Sequence, residues 1–303
     1  MYRFLLTAMV GPRAVLAAGL LAGAAAVVPA AAQDRAGRAD SSGAGMAFSF
    51  ISRVYTLAPT EGIGYRVLVA YAIPARRLPR EGSGDRGWWA RIRLTLIDSD
   101  GDSLVELDSV RNLSTSWSGG ERYAMGLEEL NLAPGSYGMQ LYLGTLDGRI
   151  GLQTGLHELA VADLKEVPLW LSDLVLGREE EGEGGGLEWG RDRERVDVAP
   201  LHTYRAGTAI EVYYEVVGLP EGTAFETVIS LTPVVAYNPA VREDAAPLVS
   251  FGYEETARSR FTPLWRTLNL GDFPPGRYRL TVKAIVAGGP QATRSTTIRV
   301  LGG

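Results

Sequence analysis

The chain of 303 residues has no cysteine and only two histidines, His157 and His202. Disulfides and thiolate metal sites are thereby excluded, and each half of the chain is expected to rest on a hydrophobic core of its own. Zinc sites draw on clusters of His and Cys, and these two histidines have no ligand-spaced neighbours. Lysine is almost missing too. Lys165 and Lys283 are the only lysines among 30 basic residues, and the excess of Arg reads as codon bias and not as phosphate recognition. Acids outnumber bases, 35 to 30, for a net charge of −5, which argues against nonspecific nucleic-acid binding. No G-x-x-x-x-G-K-[ST] loop and no G-x-S-x-G elbow occurs. No long segment of 3.6-residue period supplies the crossover helices that an α/β nucleotide-binding fold needs.

The longest apolar run lies at the start. Arg3 and Arg13 are the only charges in residues 1–32, Ala14 to Val28 is built from Ala, Leu, Gly and Val, and Pro29-Ala30-Ala31-Ala32 precedes Gln33. This is the anatomy of a signal peptide with an A-x-A cleavage site. A membrane anchor is the alternative, but the run is shorter than the roughly 20 residues a span requires. Export to the periplasm or beyond is expected, with no transmembrane anchor after processing. Loss of Arg3 and Arg13 leaves 28 basic residues against 35 acidic, a net charge of −7. Residues 33–45, polar and small, read as a disordered N-terminus.

From residue 46 onward the period is near two. Alternating runs at 65–73, 90–97, 103–108, 122–130, 136–146 and 156–162 are separated by turn residues, and similar runs recur at 169–177, 196–198, 208–217, 225–236, 247–256, 260–270, 277–286 and 293–301. Short strands at this spacing describe a β-sandwich. The pattern also repeats. Pro134-Gly135-Ser136-Tyr137 opens one strand and Pro275-Gly276-Arg277-Tyr278 another, 141 positions later. "YRVLVAYAIP" corresponds to "IEVYYEVVGLP", and "IRLTLI" to "ISLTPV". The expectation is an all-β chain of two tandem Ig-like, Greek-key sandwiches, 46–162 and 168–301, joined by a linker at 163–167. Pro fixes φ and Gly accepts positive φ, so Pro-Gly forms a tight turn before the strand. The Tyr two residues after the Gly then suits a tyrosine corner; a surface Tyr shared by two ligand sites is the other reading. Pro134, Gly135, Tyr137, Pro275, Gly276 and Tyr278 are therefore the structural residues singled out.

Candidate chemistry is sparse. Asp98, Asp100 and Asp102 alternate as at the start of a calcium loop. However, Gly101 stands at position four, and Ser103 and Ser109 occupy positions six and twelve, where an EF-hand needs Gly and Glu. The readings are a polar hairpin tip or weak calcium binding. Glu179, Glu180, Glu181 and Glu183 form a charge run in "REEEGEGGGLEWGRDRERV", which reads as a solvated, mobile hairpin loop. Trp88 and Trp89 are adjacent, and successive side chains of a strand point to opposite faces. One of them therefore faces outward as a contact for a protein or glycan partner, or else caps the sandwich edge.

The run "LAPGSYGMQLYLGTLDGRIGLQTGLHELAVADLKEVPLWLSDLVLG" resembles the β-rich region of secreted bacterial GWxTD-domain proteins, and "VAPLHTYRAGTAIEVYYEVVGLPEGT" looks like their following segment, with Pro200, Tyr204, Tyr213 and Glu215 at corresponding kinds of position. The G-W-x-T-D segment itself is absent, since Gly87-Trp88 continues as Trp89-Ala90-Arg91. The resemblance implies secreted β-domains and brings no catalytic residue with it. The expected function is a non-enzymatic binding or structural module of the cell envelope, without cofactor or metal. The alternative is a carbohydrate-active hydrolase using carboxylates in the groove between the two halves.

Overall fold

The computed structural model describes residues 50–302, except 61–63, 79–82, 85–86, 99, 150, 179–186, 192–193, 235–245 and 272. The signal-peptide segment 1–32, the polar stretch 33–45 and the acids Glu179, Glu180, Glu181 and Glu183 lie outside the described residues.

The chain is all-β. In the first half the strands are β1 (Ile51–Thr60), β2 (Gly64–Pro74), β3 (Ser83–Gly84), β4 (Gly87–Ile97), β5 (Ser103–Ser118), β6 (Glu121–Leu132), β7 (Gly135–Gly144), β8 (Gly151–Gln153) and β9 (His157–Val161). In the second they are β10 (Trp170–Leu171), β11 (Val175–Arg178), β12 (Glu188–Arg191), β13 (Glu194–Asp197), β14 (Thr203–Arg205), β15 (Ala209–Val217), β16 (Ala224–Pro233), β17 (Val249–Thr256), β18 (Phe261–Asn269), β19 (Gly276–Ile285) and β20 (Gln291–Leu301). Among the described residues the helical content is one 3-10 turn, Ala75–Arg77.

Seven strands of each half share one order. In the first half β1-β2-β6 form one layer, and β5-β4-β7 with β9 on β7 form the other. In the second, β11-β15-β18 form one layer and β17-β16-β19-β20 the other. Both are Ig-like sandwiches, whose twisted layers bury alternate residues between them. One detail differs. β5 pairs with β4 as far as Leu113 and with β6 from Ser114, so a single 16-residue strand joins both layers. In the second half β17 and β18 are separate strands.

The cores follow the alternation. Ile92, Leu94, Leu96, Met139, Leu141 and Leu143 meet Val67, Val69, Tyr71 and Ile73 inside the first sandwich. Ile210, Val212, Tyr214 and Val216 meet Ile229, Leu231, Leu280 and Val282 inside the second. Each fully buried aliphatic side chain of this size contributes about 1.5–3 kcal/mol through burial. These two cores are not all of the buried apolar surface, however. A third cluster takes Tyr55, Leu57, Leu68, Ala70 and Met125 from the first half and Val175, Leu187, Trp189, Val196, Val198 and Tyr213 from the second. β2 and β15 are thus buried on both faces, as their nearly unbroken apolar sequences allow.

The segment read from sequence as a solvated loop takes part in this third cluster. Leu187, Trp189, Arg191 and Val196 are buried, on or beside the β12–β13 hairpin. Its charged residues hide the pattern, because Trp189, Arg191 and Val196 are single inward positions among acids and arginines. The approach is close. A Cβ on Gly177 would stand 2.6 Å from Val196 Cγ1 and 3.0 Å from the Asp197 carbonyl, so a glycine is what the packing admits. The connector after β9 is held from both sides. Tyr65 Oη accepts from the Leu164 N–H at 2.7 Å, and the Arg260 guanidinium donates to the carbonyls of Leu164 and Lys165.

Candidate functional site at the junction of the two halves

β1 pairs with β2 along one edge only. Its other edge would leave backbone donors and acceptors bare, and buried groups of that kind cost about 1–3 kcal/mol each when unpaired. Side chains and backbone of the second half satisfy them. The Thr56 N–H donates to Asp173 Oδ2 at 2.8 Å, and the Thr56 carbonyl accepts from the Asp173 N–H at 3.1 Å. Two residues on, the Ala58 N–H donates to Glu215 Oε2 at 2.5 Å, and the Ala58 carbonyl accepts from Arg191 Nη1 at 2.9 Å. Arg191 Nη2 donates to the Pro59 carbonyl at 3.1 Å. The spacing of two matches the strand period, which returns the same backbone edge every second residue.

Glu215 is fully buried on β15. Its Oε1 accepts from Arg191 Nη1 at 2.8 Å and from the Tyr213 hydroxyl at 2.6 Å. Its backbone is anchored as well: its N–H donates to Ser172 Oγ at 2.9 Å, and its carbonyl accepts from the Ser172 N–H at 3.0 Å. Burial pushes the Glu215 carboxyl above its ordinary range, and the Arg191 charge opposes this. Asp173 is also raised by burial, against the charge of Arg294, whose guanidinium lies 5.6 Å from the Trp170 ring centroid. The Arg191 guanidinium stacks over Phe261 at 4.2 Å, a cation–π contact that suits its planar group.

A second polar contact crosses the junction at His202. Its Nδ1 lies 3.3 Å from the Thr297 carbonyl, and its Nε2 3.0 Å from the Tyr55 hydroxyl. A proton on Nδ1 serves the Thr297 carbonyl while Nε2 accepts from Tyr55; the Thr296 hydroxyl, also 3.3 Å from Nδ1, is a further partner of that nitrogen. Burial and the Arg53 charge hold its pKa well below 6.5. His202 has φ of 48°, a left-handed conformation uncommon outside glycine. Arg53 Nε donates to the Pro200 carbonyl at 2.6 Å, and Tyr204 is buried nearby. Pro200, Tyr204, Tyr213 and Glu215, which carry the sequence resemblance, thus gather at this junction. Asp173 and His202 fall within the two runs that carry the sequence resemblance, though neither is singled out there, and Arg191 lies outside both. The one local signal for Glu215 is an acid inside the apolar strand β15.

Beside the junction lies a groove of about 380 Å³ lined in part by Tyr71, Arg111, Glu128 and Glu188. Glu128 is buried and accepts from Arg111 Nε and Nη2, both at 3.2 Å, and from the Tyr71 hydroxyl at 3.3 Å. Burial and the Glu128 charge raise the Tyr71 pKa far above its ordinary value, so it is a donor at all working pH. The Tyr71 ring packs directly on Gly126, where a Cβ would come within 2.3 Å.

The residues singled out in the sequence stand apart from this site. Tyr137 donates to the Ala133 carbonyl at 2.8 Å and Tyr278 to the Pro274 carbonyl at 2.6 Å, each reaching four residues back. Tyr278 is buried, edge-on to Phe273, and Tyr137 is only partly buried. Pro134 and Pro275 stand at bends immediately before β7 and β19, and Gly135 and Gly276 are the first residues of those strands, in extended backbone and without the positive φ expected of a tight Pro-Gly turn. Trp88 packs against the first core, and Trp89 faces outward, 48 % exposed. Asp98 Oδ1 accepts from the N–H groups of Asp100 and Asp102, each at 2.9 Å, within the hairpin turn. Among the described residues no group of three or more His, Asp or Glu is placed to hold a metal ion, and no helix is long and apolar enough to cross a membrane.

No family model matches the chain, and no curated protein does. Among solved structures it is similar to a red sea bream transglutaminase, at 8 % identity over 82 % of this chain and 31 % of that one, with a TM-score of 0.23. It is likewise similar to the native conformation of E. coli alpha-2-macroglobulin, at 12 % identity over 82 % of this chain and 14 % of that one, also with a TM-score of 0.23. The chain spans less than a third of either. The fold assignment rests on the strand order described above.

Proposed function

We propose that this is a non-enzymatic binding or structural module of the cell envelope, exported by its N-terminal segment and related to the β-rich region of GWxTD-domain proteins. The observation that carries this reading is the use made of the junction's buried acids. Glu215 and Asp173 direct their carboxylates at the backbone of β1, where they complete a strand edge. An acid engaged in this way holds two sandwiches in fixed relation and has no oxygen aimed at a substrate. Rigid tandem sandwiches present loops and outer faces at set positions, which serves recognition; that step is an argument from the kind of fold. The test is an affinity capture from an envelope fraction with the exported protein as bait, alongside turnover assays on glycan, peptide and ester panels. A defined partner with no turnover supports the reading.

The alternative, a carbohydrate-active hydrolase, has one observation in its favour. Glu128 and Glu188, one from each half, line the same groove, and paired carboxylates are the usual apparatus of glycoside hydrolysis. Against it, Arg111 and Tyr71 bind Glu128 from two sides. Turnover that disappears in Glu128→Gln or Glu188→Gln would establish the hydrolase and overturn the binding module.

A further inference from the structure

The outer face of the second sandwich carries a charge arrangement that folding alone does not explain. On β19 the buried residues are Tyr278, Leu280, Val282 and Ala284, so Arg277, Arg279, Thr281 and Lys283 point outward. On β20 the buried residues Ile298 and Val300 leave Ser295, Thr297 and Arg299 on that same outer face. Arg277 and Arg299 are direct cross-strand partners. Such partners have Cβ atoms about 4.5–5.5 Å apart, and like charges there are destabilising. Both side chains are exposed, and among the described residues neither has an ion-pair partner. In a chain with net charge −5, acids are abundant, yet none answers this pair among the described residues.

The pair also borders a concavity of about 680 Å³, walled by Pro275, Gly276, Val300, Leu301 and Gly302. The arginines therefore flank a recess. Guanidinium groups at adjacent strand positions match the oxygens of a carboxylate or sulfate, which they can bind in paired fashion. From that recess the outer face continues along β19 and β20 with Thr281, Ser295 and Lys283, so that hydroxyl groups lie between cations.

We infer that the Arg277–Arg299 recess binds a carboxylate or sulfate group of an acidic polysaccharide, whose sugar hydroxyls meet the threonine and serine side chains beside it. This rests on the binding-module reading and names its ligand class. The face favours a polysaccharide over single-stranded nucleic acid because none of the outward residues named on β19 and β20 is aromatic, and such binding leans on aromatic stacking.

The experiment measures binding of the purified exported protein to polygalacturonate and to dextran sulfate by calorimetry at low salt. Neutral dextran, oligo(dT) and phosphatidylglycerol vesicles are the comparison arms. The proposal expects binding to at least one acidic polysaccharide, none to neutral dextran, and a weakening of about tenfold for each of Arg277→Ser and Arg299→Ser. Both positions are exposed, and unchanged melting curves will show that the variants are folded. Binding that is equal in the variants, confined to oligo(dT) or vesicles, or absent from every arm overturns the site. Those results leave the binding-module reading standing, because that reading falls on turnover and not on this affinity.

Discussion

Replacing Arg191 with Met tests the junction most directly. Met keeps much of the side-chain volume beside Phe261 and removes the guanidinium. Three bonds are then lost, to Glu215 Oε1, the Ala58 carbonyl and the Pro59 carbonyl. Glu215 remains buried with Tyr213 and the Ala58 N–H as partners but without a counter-charge. Removing one member of a buried ion pair costs about 3–5 kcal/mol. For a chain of this size each kcal/mol lowers the melting temperature by about 2–4 °C, so the variant should melt about 6–20 °C lower. Since the pair ties the halves together, calorimetry should also show the variant unfolding over a broader or more divided range than the parent, as β1 loses its hold on the second half. Glu215→Leu alone should be destabilising too, because the guanidinium and the Ala58 N–H lose their acceptor. The double variant Arg191→Met/Glu215→Leu should lose less than the two single losses added, by about 0.5–3 kcal/mol. A melting temperature for Arg191→Met within about 2 °C of the parent, equivalent to less than about 1 kcal/mol, would refute the reasoning. Water would then be serving the β1 edge as well as the arginine does.

The remaining predictions concern other parts of the chain. Tyr278→Phe should cost about 0.5–1.5 kcal/mol through the bond to the Pro274 carbonyl, and Tyr278→Ala about 3–5 kcal/mol through the cavity it leaves. Tyr137→Ala should cost less than Tyr278→Ala because Tyr137 is only partly buried, and denaturant melts will rank the three. His202 has a folded pKa well below 6.5, so the unfolded chain takes up its proton first. The stability it confers is full above about pH 6.5 and falls below that by at most about 1.4 kcal/mol per pH unit. Asp173 and Glu215, whose pKa values are raised, act in the opposite sense and gain stability as pH falls. The acid-side slope that His202→Gln abolishes therefore isolates the histidine, and identical slopes in parent and variant would contradict its buried neutral state. Intact-mass analysis of protein exported by its host should place the mature N-terminus at or near Gln33; retention of residues 1–32 would overturn the signal-peptide reading.

The period-two alternation by itself determined most of the strands, because a strand's faces follow local geometry and which side chains avoid water; it could not give a single inward face to β2 and β15, which are apolar on both sides, and it missed β12 and β13. The starts of β7 and β19 after Pro134 and Pro275 were legible, since proline's backbone preference acts within a few residues, but Gly135 and Gly276 open the strands without the positive φ of a tight turn. Trp88 and Trp89 had to face opposite ways for the reason that any adjacent pair in a strand must. The length of β5 was not legible, because its passage from one layer to the other depends on which neighbour supplies hydrogen bonds on either side of Leu113. The junction was decided only by tertiary structure. Thr56 meets Asp173 across 117 residues, Ala58 meets Glu215 across 157, and Arg191 reaches back 133 residues to Ala58. In the sequence Arg191 sits in a charged, glycine-rich stretch that reads as solvated, and Glu215 shows only as an acid inside an apolar strand, with nothing to say what it meets. They become buried because the outer edge of β1 leaves polar backbone that only side chains from the other half reach, and burial without those partners would cost more than the fold could bear.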